Sequence, residues 1–106
     1  MLKRALVPVS FHEHPERFRR MCGFLTTLGT EEAVLLHVGA SSRGGGRQNR
    51  RRLEELAQIV RESGVAADTQ LRSGSVQMCV VRTAEELDAD YIAFAFKRKS
   101  ILRRAI

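Results

Sequence analysis

Two periodicities alternate along the chain, and they divide it into seven elements. Leu2 to Val9 contains the unbroken apolar run Ala5-Leu6-Val7-Pro8-Val9, which predicts a strand covered on both faces, as in parallel sheets. Pro15 and Glu16 then open a helix, since proline suits the first helical position and an acid suits the positive end of the helix dipole. Phe18, Met21, Cys22, Leu25 and Leu28 recur at helical spacing, and Gly29 supplies a left-handed stop. A second covered strand, Ala33 to Val38, runs into a polar, glycine-rich loop from Ser41 to Gly46. From about Gln48 a second helix carries Leu53, Leu56, Ala57 and Val60 on one stripe and ends at Gly64.

Strict alternation replaces the helical period from Val65 to Arg72. Val65, Ala67, Thr69 and Leu71 share one side, which predicts a half-exposed strand at a sheet edge. Ser75 caps a third helix whose stripe is Val76, Cys79, Val80, Ala84 and Leu87, and Asp88-Ala89-Asp90 ends it. The last run, Tyr91 to Phe96, carries no charge and predicts a third covered strand. Strands alternating with helices imply an α/β fold with a doubly wound parallel sheet, right-handed crossovers and helices on both faces. With the alternating strand at an edge, the expected order is 3-2-1-4. Ligands of such sheets sit at the carboxyl ends of the strands beside the switch point, here after strands 1 and 4.

Length confines this pattern to one domain, residues 1–106. Hydrophobic residues at 43% and charged residues at 28% are ordinary globular usage, so the chain is expected to fold. No apolar run approaches the ~18 residues of a membrane span, and Met1-Leu2-Lys3-Arg4 leads straight into a strand, so the expected compartment is the cytoplasm with no membrane partner. Cys22 and Cys79 are too sparse for a disulfide framework and are read as buried free thiols.

A net charge of +6 and a pI near 10.3 raise the question of nucleic acid. The positive charge gathers in Arg43 to Arg52 and in Lys97-Arg98-Lys99 with Arg103-Arg104, and neither segment is interleaved with aromatics. With five Phe, one Tyr and no Trp, mostly inside apolar patterns, base stacking lacks its platform. Non-specific nucleic-acid association through these arginines is therefore the second alternative reading.

Catalytic chemistry has little to stand on. His12-Glu13-His14 lacks the third and fourth ligands of a transition-metal site and reads as a polar loop and helix cap. His37 reads as a packed, hydrogen-bonded histidine, and Ser10 has no paired base. Gly44-Gly45-Gly46 lacks the Lys-Ser/Thr of a phosphate loop. No metal, no catalytic residue and no enzyme activity are expected.

The segments Lys3-Arg4-Ala5-Leu6-Val7-Pro8-Val9, Leu35-Leu36-His37-Val38 and Glu85 to Ile92 resemble, in order and spacing, the universal stress protein family. That resemblance implies a cytoplasmic dimer on an adenine nucleotide alpha hydrolase-like, Rossmann-like fold, with ATP bound by many members. Nucleotide-binding members carry an acidic residue at the end of strand 1, and after strand 4 a Gly-x-x-Gly, a spacer and a Gly-Ser or Gly-Thr. Here the acidic position falls on Ser10 and the two glycines on Ala95 and Arg98, while the rest lies beyond Ile106. Side chains at the glycine positions obstruct close approach of the backbone to phosphates.

The expectation is a regulatory or interaction module with a degraded nucleotide site and no cofactor. Its alternative is an adenine nucleotide or small anion bound through Val9, Ser10, Val38, Ala95, Lys97, Arg98, Lys99 and Ser100. The sequence also stops short of the family's fifth strand, leaving strand 4 as an apolar edge that invites pairing. A homodimer burying Ile92, Phe94, Phe96, Ile101 and Leu102 is expected, beside a protein partner of unknown identity.

Overall fold

The computed structural model of the protein describes residues 2–39 and 46–95. It contains β1 (Arg4–Pro8), α1 (Pro15–Thr27), β2 (Glu32–Gly39), α2 (Gly46–Glu62), β3 (Ala66–Ser73), α3 (Val76–Leu87) and β4 (Tyr91–Ile92). All pairings are parallel, and the strand order is β3-β2-β1-β4, as the patterns predict.

The two faces of the sheet explain the unbroken apolar runs. Ala5, Val7, Val9, Ala33 and Leu35 point to one side and pack with Phe18, Met21, Cys22 and Leu25 of α1 and Leu53, Ala57 and Val60 of α2. Leu6, Val34 and Leu36 point to the other and pack with Val80 of α3. Neighbouring residues of β1 and β2 thus serve different cores, so both strands must be apolar throughout. On β3 only one side is committed: Val65 is buried, and Ala67 and Leu71 pack against the α1/α2 cluster. Gly29 and Gly64, at φ +78° and +97°, end α1 and α2 in the left-handed conformation that glycine tolerates. His14 and Ser75 cap α1 and α3, accepting from the Glu16 and Met78 N–H groups.

Three expectations need correction. Among the described residues, the covered strand expected over Tyr91 to Phe96 is in register with β1 at Tyr91 and Ile92 and adds a 2.9 Å hydrogen bond from the Ala93 N–H to the Leu6 carbonyl, and Ile92 and Phe94 are 36% and 43% exposed. The reason is position: β4 is an edge strand, as the expected order has it, and α3 packs on β2, β1 and β3. Val76, assigned to the buried stripe of α3, is 59% exposed in the first turn, while Thr83 is fully buried one turn past Cys79. Leu28 caps α1 at 44% exposure instead of joining its core.

The two cysteines also part company, since Cys22 is buried and Cys79 only partly so. Burial pushes the Cys22 thiol above its ordinary pKa, against a smaller opposing effect of the Arg19 charge. Thiolate is the reacting species, so alkylation of the native protein at mildly alkaline pH is expected to label Cys79 first and Cys22 only on unfolding. Mass spectrometry after limited iodoacetamide treatment checks this, and equal labelling of both would contradict it.

A short set of polar contacts fastens β4 to the sheet. The Arg4 N–H donates to Asp90 Oδ2 at 2.9 Å, and the Asp90 N–H donates to the Arg4 carbonyl at 2.8 Å. The Arg4 guanidinium also binds the Leu87 carbonyl and the Glu32 carboxylate. On the opposite side of the sheet, the hydroxyls of Thr30 and Tyr91 share a hydrogen bond.

Candidate functional site

The carboxyl ends of β1 and β2 bring together five side chains from three parts of the chain. Beyond β1 the backbone turns sharply: Phe11 adopts φ +72°, an unusual value for a bulky residue. The Glu13 carboxylate holds the turn, accepting from the Ser10 N–H at 2.7 Å, the Ser10 hydroxyl at 2.9 Å and the Phe11 N–H at 2.9 Å. The His12 N–H donates to the Ser10 Oγ at 3.2 Å. Successive N–H groups in such a turn form a concavity suited to an anion. In this chain the anion is its own Glu13.

The turn aims the Phe11 ring at β2. It stacks on the His37 imidazole with centroids 4.0 Å apart and planes inclined by 25°. Arg52, from α2, lays its guanidinium 4.5 Å from the Phe11 ring centroid and donates to the Phe11 carbonyl at 3.2 Å. His37 is oriented in turn by a 2.9 Å hydrogen bond between Nδ1 and the Val9 carbonyl, in keeping with its reading as a packed histidine. Imidazole, phenyl ring and guanidinium thus form a stack across the mouth of β1 and β2.

Against this geometry the expected site residues divide. Ser10 is exposed in the Glu13 turn. Val9 is buried, 5% exposed, in the α1/α2 core, so its side chain faces away from any crevice ligand and its backbone is what is presented there. Val38 packs against the α3 cluster and Ala95 against the α1/α2 cluster, both half-buried. Lys97, Arg98, Lys99 and Ser100 lie outside the described residues, as do Phe96, Ile101 and Leu102 of the expected interface. Phe11, Glu13 and Arg52 were not singled out as site residues by sequence. The one signal for Glu13 is the spacing Ser10-x-x-Glu13, the pattern of a capping box, in which the acid reaches back to the N–H of the serine.

Among the described residues no cluster of three His, Cys, Asp or Glu side chains could hold a metal ion, and no helix is long and apolar enough to cross a membrane. No protein-family model and no curated protein matches the sequence. Solved structures do match. A protein of the universal stress protein family from Burkholderia pseudomallei aligns with a TM-score of 0.71 at 17% identity, over 98% of this chain and 90% of its own. The universal stress protein of Archaeoglobus fulgidus aligns at 0.65 and 17% identity, over 89% of this chain and 76% of its own. A structure of the A. fulgidus universal stress protein in complex with dAMP aligns at 0.68 and 18% identity, over 87% and 80%. With the strand order and the helices on both faces, these alignments show that the chain has the fold of the universal stress proteins.

Proposed function

We propose that the chain acts as a universal-stress-protein-like regulatory or interaction module, cytoplasmic and dimeric, with little or no ATP binding and no catalytic step of its own. The observation that carries this reading is the self-occupied crevice. The donors that an anionic ligand would use after β1 are engaged by Glu13, and the face of His37 that a flat ring would use is covered by Phe11. A phosphate would meet a like charge there in place of open N–H groups. Ser10, standing at the position where the resemblance puts an acid, is itself tied to Glu13.

Calorimetric titration of the full chain with magnesium ATP is the test. Binding weaker than about 1 mM, or no saturable heat, is expected, equivalent to less than roughly 4 kcal/mol of affinity. A dissociation constant in the low micromolar range would overturn the reading. The alternative, an adenine nucleotide held at the carboxyl ends of β1 and β4, draws on the dAMP complex of the Archaeoglobus protein, and the same titration with dAMP addresses it.

A further inference from the structure

The carboxyl end of β3 lies two strands from β1 and opens into a cavity of about 430 Å³, lined by Arg72, Ser73, Ser75, Met78, Cys79 and Arg82. Its lining holds two guanidiniums and no acid. Arg72, on β3, is held in place by Glu86 at 2.5 Å and by Gln70 at 3.3 Å, which engage Nη2 and Nε and leave the Nη1 donors undirected. Arg82, on α3, is exposed and makes no ion pair or hydrogen bond among the described residues. The Ser75 hydroxyl accepts from the Met78 N–H, so its own proton is available, and the Cys79 thiol is turned to the Ser73 carbonyl at 3.6 Å. Met78, 60% exposed, gives the cavity an apolar wall.

We propose that this cavity binds a small phosphomonoester, its phosphate between Arg72 and Arg82 and its organic part against Met78. Three features select that class. Guanidinium forks match the oxygens of a phosphate geometrically, and two of them on separate elements can hold its oxygens from two sides. Glu86 neutralises one arginine and leaves a single net positive charge, too little to make the patch a polyanion groove. A volume of this size suits a metabolite, within the ~300–1,000 Å³ range of small-molecule sites. The proposal is independent of the β1 crevice, so a failure to bind ATP leaves it standing.

The test is an amide-resolved NMR titration of the full chain with glycerol 3-phosphate, inorganic phosphate and glycerol. Saturable shifts are expected in the amides from Ser73 to Arg82, with the ester binding more tightly than inorganic phosphate and glycerol causing none. Arg82→Gln, at an exposed position, should weaken the ester about tenfold, the effect of losing one charge-assisted contact. The control Arg51→Gln on α2 should change nothing. Shifts scattered over the basic surface, equal affinity for phosphate and ester, or an unchanged affinity in Arg82→Gln would each overturn the proposal.

Discussion

Replacing Phe18 by alanine is expected to lower stability by about 3–5 kcal/mol, the usual cost of deleting a fully buried aromatic side chain. Phe18 is 1% exposed and sits in the larger core, where α1 meets β1 and β2. That core is shared among β1, β2, α1 and α2, so the vacated volume cannot be closed by moving one of them. A domain of this size typically has about 5–15 kcal/mol to lose, so the variant should approach the threshold of folding. Urea unfolding followed by circular dichroism reads the effect, with Phe24→Ala as the internal control. Phe24 lies on the same helix but is 61% exposed, and its loss should cost well under about 1 kcal/mol. Equal costs for the two would mean that the assignment of the α1 face is wrong.

The second large effect concerns assembly. Glu86 binds Arg72 of β3, which turns one flank of α3 toward that strand. Val81 stands five residues earlier, about 140° around the helix, and so belongs to the opposite flank, toward β4. Ile92 is in register with Leu6 and shares the α3 face of the sheet. Val81 at 51% exposure and Ile92 at 36% therefore extend an apolar strip along the edge where the proposed dimer forms. Two copies meeting there would use the same surface twice, as two-fold association requires. The double change Val81→Lys and Ile92→Lys should convert a dimer to a monomer in sedimentation, because two buried ammonium groups facing two more would have no partner. A parent protein that sediments as a monomer at high concentration would refute the dimer.

Much of this architecture can be read in the sequence, and the failures have a common cause. Strand order followed from which runs were unbroken and which alternated, because burial on one or two faces leaves that mark directly. Helix ends followed from Gly29, Gly64 and Ser75, whose effects are local. The edge position of β4 followed from the strand order, but its open face did not, because an uncharged run looks the same whether helices cover both faces or one face lies open. The candidate site was harder still. Arg52 read only as part of the basic run Arg43 to Arg52, yet it reaches back 41 residues to Phe11. Glu13 read as loop polarity, yet it fixes the turn. The Arg52 role is created by the approach of α2 to the β1 turn, which no local period records, whereas that of Glu13 is written only in its spacing from Ser10.

The two cores divide the chain in time as well as in space. Every buried member of the larger core, from Ala5 to Val65, precedes α3 and β4 in sequence. Its partner on the opposite face waits for Val80, and the last strand docks on the first across a separation of 86 residues between Ala5 and Tyr91. During synthesis, then, the α1/α2 side holds its full buried complement while the α3 face of β1 and β2 is still bare. Leu6, Val34 and Leu36 are the residues that a chaperone would meet in that interval.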